Sequence, residues 1–421
     1  MTVPNLNNAL PTRPLAYEKN SSAYTTIEKP RRLNLLFRFG ERSALDLLLQ
    51  PSSSFFTQAN VNPENCSQKY YSQAHLDAAT SWLERCHDST DNDGVSWGFS
   101  LKGGWRDSYR ETSGYIANTF FDLAGQQQDE AARERAIAIS HWLLTVQEAD
   151  GAIANTRYGK GGIVFDTGQV LQGLIRAYTE VKDSVFLDSA NRAGQWLVRS
   201  ADEAGLWTRN THNEIPHVYN SRVAWKLVKL HTVSPDAEFE RVARANLDWA
   251  VSQQQSSGLF EQCAFTPEAA PFVHTIAYAI RGLLEAGQLL NDSTYTESAI
   301  AGARAVQKLV AEDGFIPGQI NVDGTSAAGY CCLTGNCQMA IIWLQLFKMT
   351  GEMDFYIAAG KSLRYVMDTQ DIAIEDPNIR GAVKGSQPIW GRYTRLSYPG
   401  WATKFFIDGL LLLGQVENEM S

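Results

Sequence analysis

The chain has 421 residues, of which 44% are hydrophobic and 20% charged, so a sizeable core is expected and global disorder is excluded. Thirty-seven basic residues against 46 acidic ones leave a net charge of −9, which argues against a dedicated nucleic-acid binder. The length exceeds that of one ordinary domain unless the fold is a large closed barrel or toroid.

Residues 1–74 read as an N-terminal extension outside the repeating part of the chain. The first thirty are polar and hold no apolar signal segment. Between Arg31 and Arg42 basic and apolar residues alternate, which suits an arm packed on the main body, or a helix for a membrane surface or partner. No run approaches the ~18 apolar residues of a membrane span. Six cysteines (Cys66, Cys86, Cys263, Cys331, Cys332, Cys337) in so long a chain do not form a disulfide framework. A soluble, cytoplasmic protein is expected.

From residue 75 onward one phrase recurs: a turn residue, a glycine, then a bulky apolar residue. Its glycines are Gly94, Gly151, Gly205, Gly258, Gly314 and Gly381, at intervals of 57, 54, 53, 56 and 67 residues. Ahead of them lie six amphipathic stretches, 75–86, 131–147, 186–201, 239–254, 295–311 and 355–368. Apolar residues recur there at three and four, as in Ala136, Ile139, Leu143 and Val146, the period of a helix buried on one face. The glycines are expected to end these helices in a left-handed conformation. After each glycine comes a loop and then a helix apolar almost all round: 113–123, 167–178, 221–231, 275–290, 335–349 and 402–413. Such a helix must be covered on several sides. Each repeat is therefore an outer helix followed by an inner one. Six of them predict an all-α (α/α)6 toroid over 75–421, with parallel inner helices.

Parallel inner helices aim all their N-termini at one face, so the six loops leading into them line one cavity. Those loops are rich in ionisable and aromatic side chains. Candidate catalytic residues are Glu111, Asp166, Tyr219, His274 and Tyr398. Candidate substrate-binding residues are Trp97, Trp105, Tyr115, Arg222, Tyr278, Asn336, Trp390, Arg392, Arg395, Trp401 and Lys404. Flat aromatic faces with arginines between them suit sugar rings that carry carboxylates. Competing roles are open to several. Asp166, Glu111, Asn220 and Thr334 are also helix-capping types. Arg222 and Lys404, one turn inside buried helices, need an anionic partner from protein or substrate. The loops around Trp97–Trp105 and Trp390–Trp401 could instead close the ring. Cys331, Cys332 and Cys337, with Cys263 and His274, lack the CxxC spacing of a zinc site, and no metal or cofactor is expected.

On these twelve helices the chain resembles the (α/α)6-toroid enzymes that act on sugars: unsaturated-glucuronyl hydrolases, polysaccharide lyases, N-acylglucosamine 2-epimerases and the helical domain of glucuronyl C5-epimerases. The segment from Gly168 to Ala193 looks like the inner-helix, turn, outer-helix unit of the C5-epimerases. The resemblance implies an enzyme whose partner is an acidic oligo- or polysaccharide. One chemistry is proton abstraction beside a uronate carboxylate, by a C5-epimerase or lyase. Arg222, Arg392 or Arg395 would hold the carboxylate, and His274, Tyr219, Tyr278 or Tyr398 would move protons. Another is glycoside hydrolysis by Glu111 and Asp166. An isoprenoid-cyclase-like enzyme, for which the acidic DxDD and DDxxD motifs are missing, and a non-catalytic glycan-binding toroid are the remaining alternatives.

Overall fold

A computed structural model describes residues 68–155 and 161–421. Nearly all of the expected N-terminal extension, with the 31–42 stretch and Cys66, lies outside the described residues.

Twelve long helices occur among the described residues: α1 (Gln73–Asp88), α2 (Arg110–Gln127), α3 (Glu130–Val146), α4 (Val164–Val181), α5 (Ser184–Ser200), α6 (Ser221–Val233), α7 (Ala237–Ser252), α8 (Val273–Leu290), α9 (Ser293–Gln307), α10 (Leu333–Thr350), α11 (Met353–Thr369) and α12 (Gly400–Glu419). The even-numbered helices form the inner ring, each touching the next, with α12 returning to α2. The odd-numbered helices lie outside, and the fold is an (α/α)6 toroid. The starts of α2 and α4, and of α8 and α10, lie against each other. A Cβ on Gly114 of α2 would stand 2.6 Å from the backbone of Gln169 in α4, and one on Gly335 of α10 would stand 2.9 Å from Val273 in α8. The inner helices are therefore parallel.

The tight hairpins run from inner helix to outer helix, a phase opposite to the one read from the repeats. α2 and α3 are separated by Gln128 and Asp129, α4 and α5 by Lys182 and Asp183, and α8 and α9 by Asn291 and Asp292. The first residue of each link is left-handed, and the aspartate then caps the outer helix by accepting a backbone N–H. Helix α1, which opens the described chain, pairs with α12, which closes it.

The repeat glycines do not cap the outer helices. They sit in turns some residues beyond the helix ends and press on the next outer helix. Gly151 has φ +99°, and a Cβ there would run into the carbonyl oxygen of Arg192 in α5. Gly381 has φ +86° and abuts Ala78 of α1 in the same way. Glutamine side chains lock these turns. Gln147 Nε2 donates to the carbonyls of Gly151 and Ser189 (3.1 and 3.0 Å), and Gln254 Nε2 to those of Gly258 and Ser298 (both 2.8 Å).

Short strands join the loops. β1 (Gly98–Ser100) pairs antiparallel with β2 (Gly104–Trp105) and with β5 (Ser397–Pro399), and β3 (Cys331–Cys332) pairs with β4 (Ser386–Gln387). The first sheet ties the loop before α2 to the loop before α12.

Candidate active site

None of the six inner helices has a side-chain hydrogen bond capping its start; the N-cap residues are Tyr109, Ile163, Asn220, Phe272, Cys332 and Pro399. Outer helices α3, α5, α7 and α9 are capped by Asp129, Asp183, Asp236 and Asp292. Asn220 stands at an N-cap position but does not cap through its side chain, while Asp166, Glu111 and Thr334 lie inside the first turn. The positive ends of six parallel helix dipoles converge on the loop face instead.

Glu111 lies in the first turn of α2 and Asp166 in the first turn of the adjacent α4. Asp166 is buried and accepts a hydrogen bond from Asn155 Nδ2 at 2.7 Å. Burial, reinforced by the charge of Glu111, holds its carboxyl well above the usual carboxylate range; Asn155 and Arg110 pull the other way. The Tyr109 side chain is hydrogen-bonded to Glu111 and Asn155, and Tyr115 Oη donates to Glu111 Oε1 at 3.5 Å. Tyr109 and Asn155 thus bridge the two acids.

Aromatic rings continue the wall. Tyr219 stacks on His217 (4.6 Å between ring centres) and meets Phe165 edge-on at 5.6 Å. Phe165 reaches Tyr278 at 5.2 Å, and Tyr278 reaches His274 at 4.4 Å. His274 Nδ1 is 3.0 Å from Gln338 Oε1, and burial lowers its pKa to about 3, so the ring is neutral at physiological pH. Tyr393 lies 5.1 Å from His274 and accepts the indole N–H of Trp401 at 2.8 Å. Trp401 in turn packs edge-on against Trp97 at 4.9 Å. Arg222 is fully buried with its guanidinium 4.6 Å from the Tyr278 ring and 5.9 Å from Tyr115. Glu111, Asp166, Tyr115, Tyr219, Arg222, His274, Tyr278, Trp97 and Trp401 therefore form one continuous cluster.

The other expected residues are placed elsewhere. Tyr398 and Trp105 both pair with Phe99 in the small sheet, so all three share one of its faces. That face meets the outer ring: Trp105 packs on Trp82 of α1 (5.3 Å) and donates to Asn378 Oδ1 at 2.9 Å, while Tyr398 lies in the field of Asp371 and Asp376. The two close the ring. Asn336 is wholly buried and holds the Gly314 carbonyl at 3.0 Å, a structural clamp. Lys404 is bound by Asp408 one turn below. Trp390, Arg392 and Arg395 are exposed, and Arg395 Nε donates to the Trp390 carbonyl at 3.0 Å. Cys331 donates its thiol proton to Asn336 Oδ1 at 3.0 Å, and Cys263 and Cys332 are buried with pKa values pushed up to about 12. No group of three or more metal-ligating side chains occurs among the described residues.

Sequence reading did not single out Asn155, Tyr109, Gln338 or Tyr393. Tyr109 and Tyr393 lie within loops that it marked. Asn155 and Gln338 act through partners 11 and 64 residues away, and no local pattern announces them.

Solved structures share this architecture. Cellobiose 2-epimerase from Bacillus thermoamylovorans matches with a TM-score of 0.65 at 14% identity, covering 81% of this chain and 97% of its own. An unsaturated glucuronyl hydrolase from a Bacillus species, responsible for glycosaminoglycan degradation, matches at 0.64 and 17%, covering 80% and 96%. A family 88 glycosyl hydrolase from Bacteroides vulgatus matches at 0.60 and 11%, covering 81% and 98%. At these identities the likeness is one of fold. No protein-family model matches the chain, and no curated protein does. No helix among the described residues is long and apolar enough to cross a membrane.

Proposed function

We propose that this toroid is a carbohydrate-active enzyme that hydrolyses a glycosidic bond of a uronate-containing oligo- or polysaccharide, with Asp166 and Glu111 as its two carboxyl groups. The observation that carries this reading is the buried Asp166 carboxyl, its proton affinity raised beside a second carboxylate. A carboxyl group held protonated beside a second one divides the pair into donor and partner. Asp166 gives its proton to the departing glycosidic oxygen as the bond to the anomeric carbon breaks. Water supplies the hydroxyl to that carbon, and the Glu111 carboxylate takes up the proton that the water gives up. Asn155 and Tyr109 orient the pair. The saccharide class draws support from the aromatic wall and from enzymes of the same fold, which include glucuronyl hydrolases and a polysaccharide lyase.

Proton abstraction at a uronate, by a C5-epimerase or lyase, is the second reading, and the buried cation Arg222 favours it. Its proposed proton carriers are poorly matched to the task. His274 gains a proton only near pH 3, and burial raises Tyr219 and Tyr278 above the ordinary tyrosine value.

Screening uronate-containing oligosaccharides separates the two. New reducing ends without the ultraviolet absorbance of an unsaturated uronate mark hydrolysis. That absorbance marks a lyase, and solvent deuterium uptake without cleavage marks an epimerase. Under the hydrolase reading, Asp166→Asn and Glu111→Gln should each lower the rate by about 10²–10⁴-fold. Full activity in both variants would remove the carboxylate pair from the chemistry.

A further inference from the structure

The inner helices are not apolar throughout. Below the candidate active-site cluster, charged side chains from several of them meet inside the ring, and most are matched. Arg281 pairs with Glu285 at 3.1 Å, Arg176 with Asp122 at 2.7 Å, and Lys404 with Asp408. Arg222 and Lys226, one turn apart on α6, are not. Both are fully buried, at 1% and 0% exposure. Arg222 donates Nε–H to Gln169 Oε1 at 2.8 Å, but its Nη1 has no hydrogen-bond partner among the described residues, and neither has Lys226 Nζ. Both cations approach one ring: Lys226 Nζ lies over Trp225, with the guanidinium groups of Arg222 and Arg281 at 5.7 and 5.5 Å. The carboxylate that acts on both, Glu285, is already held by Arg281 and by Gln345 Nε2 at 2.9 Å. Lys229 adds a further positive charge to the surroundings of Lys226.

Two buried cations with unfilled donors and no anion of their own are a costly arrangement. We propose that Arg222 Nη1 and Lys226 Nζ together hold a small monovalent inorganic anion, of halide size, inside the inner ring beneath the candidate active-site cluster. Size follows from the surroundings of Arg222. The rings of Tyr278, Phe405 and Tyr115 crowd its guanidinium at 4.6, 5.7 and 5.9 Å. A uronate carboxylate would have to bring its sugar ring with it; a halide would not. Bound there, the anion neutralises the surplus charge under the aromatic wall and fixes Arg222 and Tyr278. Burial and the neighbouring Arg222 otherwise drive the Lys226 ammonium toward its neutral form. The site shares Arg222 with the candidate active-site cluster but does not depend on the hydrolysis proposed above.

The test uses the intact protein in sodium gluconate, replaced stepwise by sodium bromide at constant ionic strength. The melting temperature should rise by about 2–4 °C and saturate, as expected for an ion that binds only the folded state. In Lys226→Met the rise should vanish, and the variant in gluconate should be at least as stable as the parent. Bromide-soaked crystals should show an anomalous peak within hydrogen-bond distance of both donors. A flat melting curve in the parent, an unchanged bromide response in Lys226→Met, or no bromide peak between the two donors would overturn the proposal. So would a Lys226-dependent shift produced by glucuronate but not by bromide, which would make the donors a substrate seat. Should Lys226→Met fail to fold, the parent's bromide series and anomalous peak decide the matter alone.

Discussion

Asp166 sets chemistry against stability. Its pKa is raised above the ordinary 3.8 in the folded chain, so the folded state binds its proton more tightly than the unfolded state does. Between 3.8 and the raised value, stability must fall as pH rises, because the unfolded state there has already shed its proton. Asp166→Asn removes the titration while keeping an acceptor and a similar shape. The variant should therefore be inactive yet more stable than the parent at neutral pH, in the manner of active-site residues held at a cost to the fold. Denaturation midpoints at several pH values check this, and a less stable variant would show that the ionised carboxylate supports the fold. His274 carries the opposite sign. Its folded pKa is depressed from 6.5 to about 3, so its contribution is present above 6.5 and is lost as pH falls toward 3. His274→Gln should flatten the acid limb of the stability profile between those values. An acid limb of unchanged slope would mean that the ring is solvated and titrates normally.

The same mixture of local and distant causes decides how far the elements could be read from the chain. The six glycines were legible because the spatial demand on them repeats: each turn must bring its backbone against the next outer helix, and only glycine allows the approach. The glycines do not stop helices as the sequence suggests: a turn glycine some residues past a helix end looks the same in sequence as a cap. The aspartates at 129, 183, 236 and 292 keep the same period and mark the true hairpins. Tyr398 was misplaced for a different reason. Side chains alternate along a strand, and its parity becomes known only once β5 is paired with Phe99. At this scale Gly381→Ala is the informative change. A Cβ there would collide with the Ala78 carbonyl, and φ +86° is strained for any other residue. Left-handed strain and overpacking together should cost about 2–4 kcal/mol, read as a lower urea midpoint. Unaltered stability would show that α1 can shift away freely.

Across the whole molecule, a toroid made of consecutive hairpins has one seam that the chain cannot close through local contacts. Here it lies where α1, from the start of the described chain, completes the pair with α12 at its end. Two devices span it. One is the β1–β5 sheet, which joins the loops above α2 and α12. The other is Glu417, buried near the end of α12, whose Oε1 accepts the backbone N–H groups of Tyr70 and Tyr71 at 2.6 and 3.1 Å and the Tyr356 hydroxyl at 3.2 Å. Three donors converge on one carboxylate oxygen, and two belong to the backbone leading straight into α1. Glu417→Ala leaves the two backbone N–H groups without an acceptor, at about 1–3 kcal/mol for each so orphaned, while the Tyr356 hydroxyl keeps the Gln68 carbonyl at 2.9 Å. Glu417→Gln keeps an acceptor and should lose less. The loss should also be local, because the remaining hairpins hold themselves through their own links and glycine turns. Amide exchange should therefore quicken in α1 and in the last turn of α12, with α4 to α9 protected as in the parent. If α1 exchanges no faster in Glu417→Ala, the sheet alone carries the seam. If every helix quickens together, the ring unfolds as one unit and the seam has no separate stability.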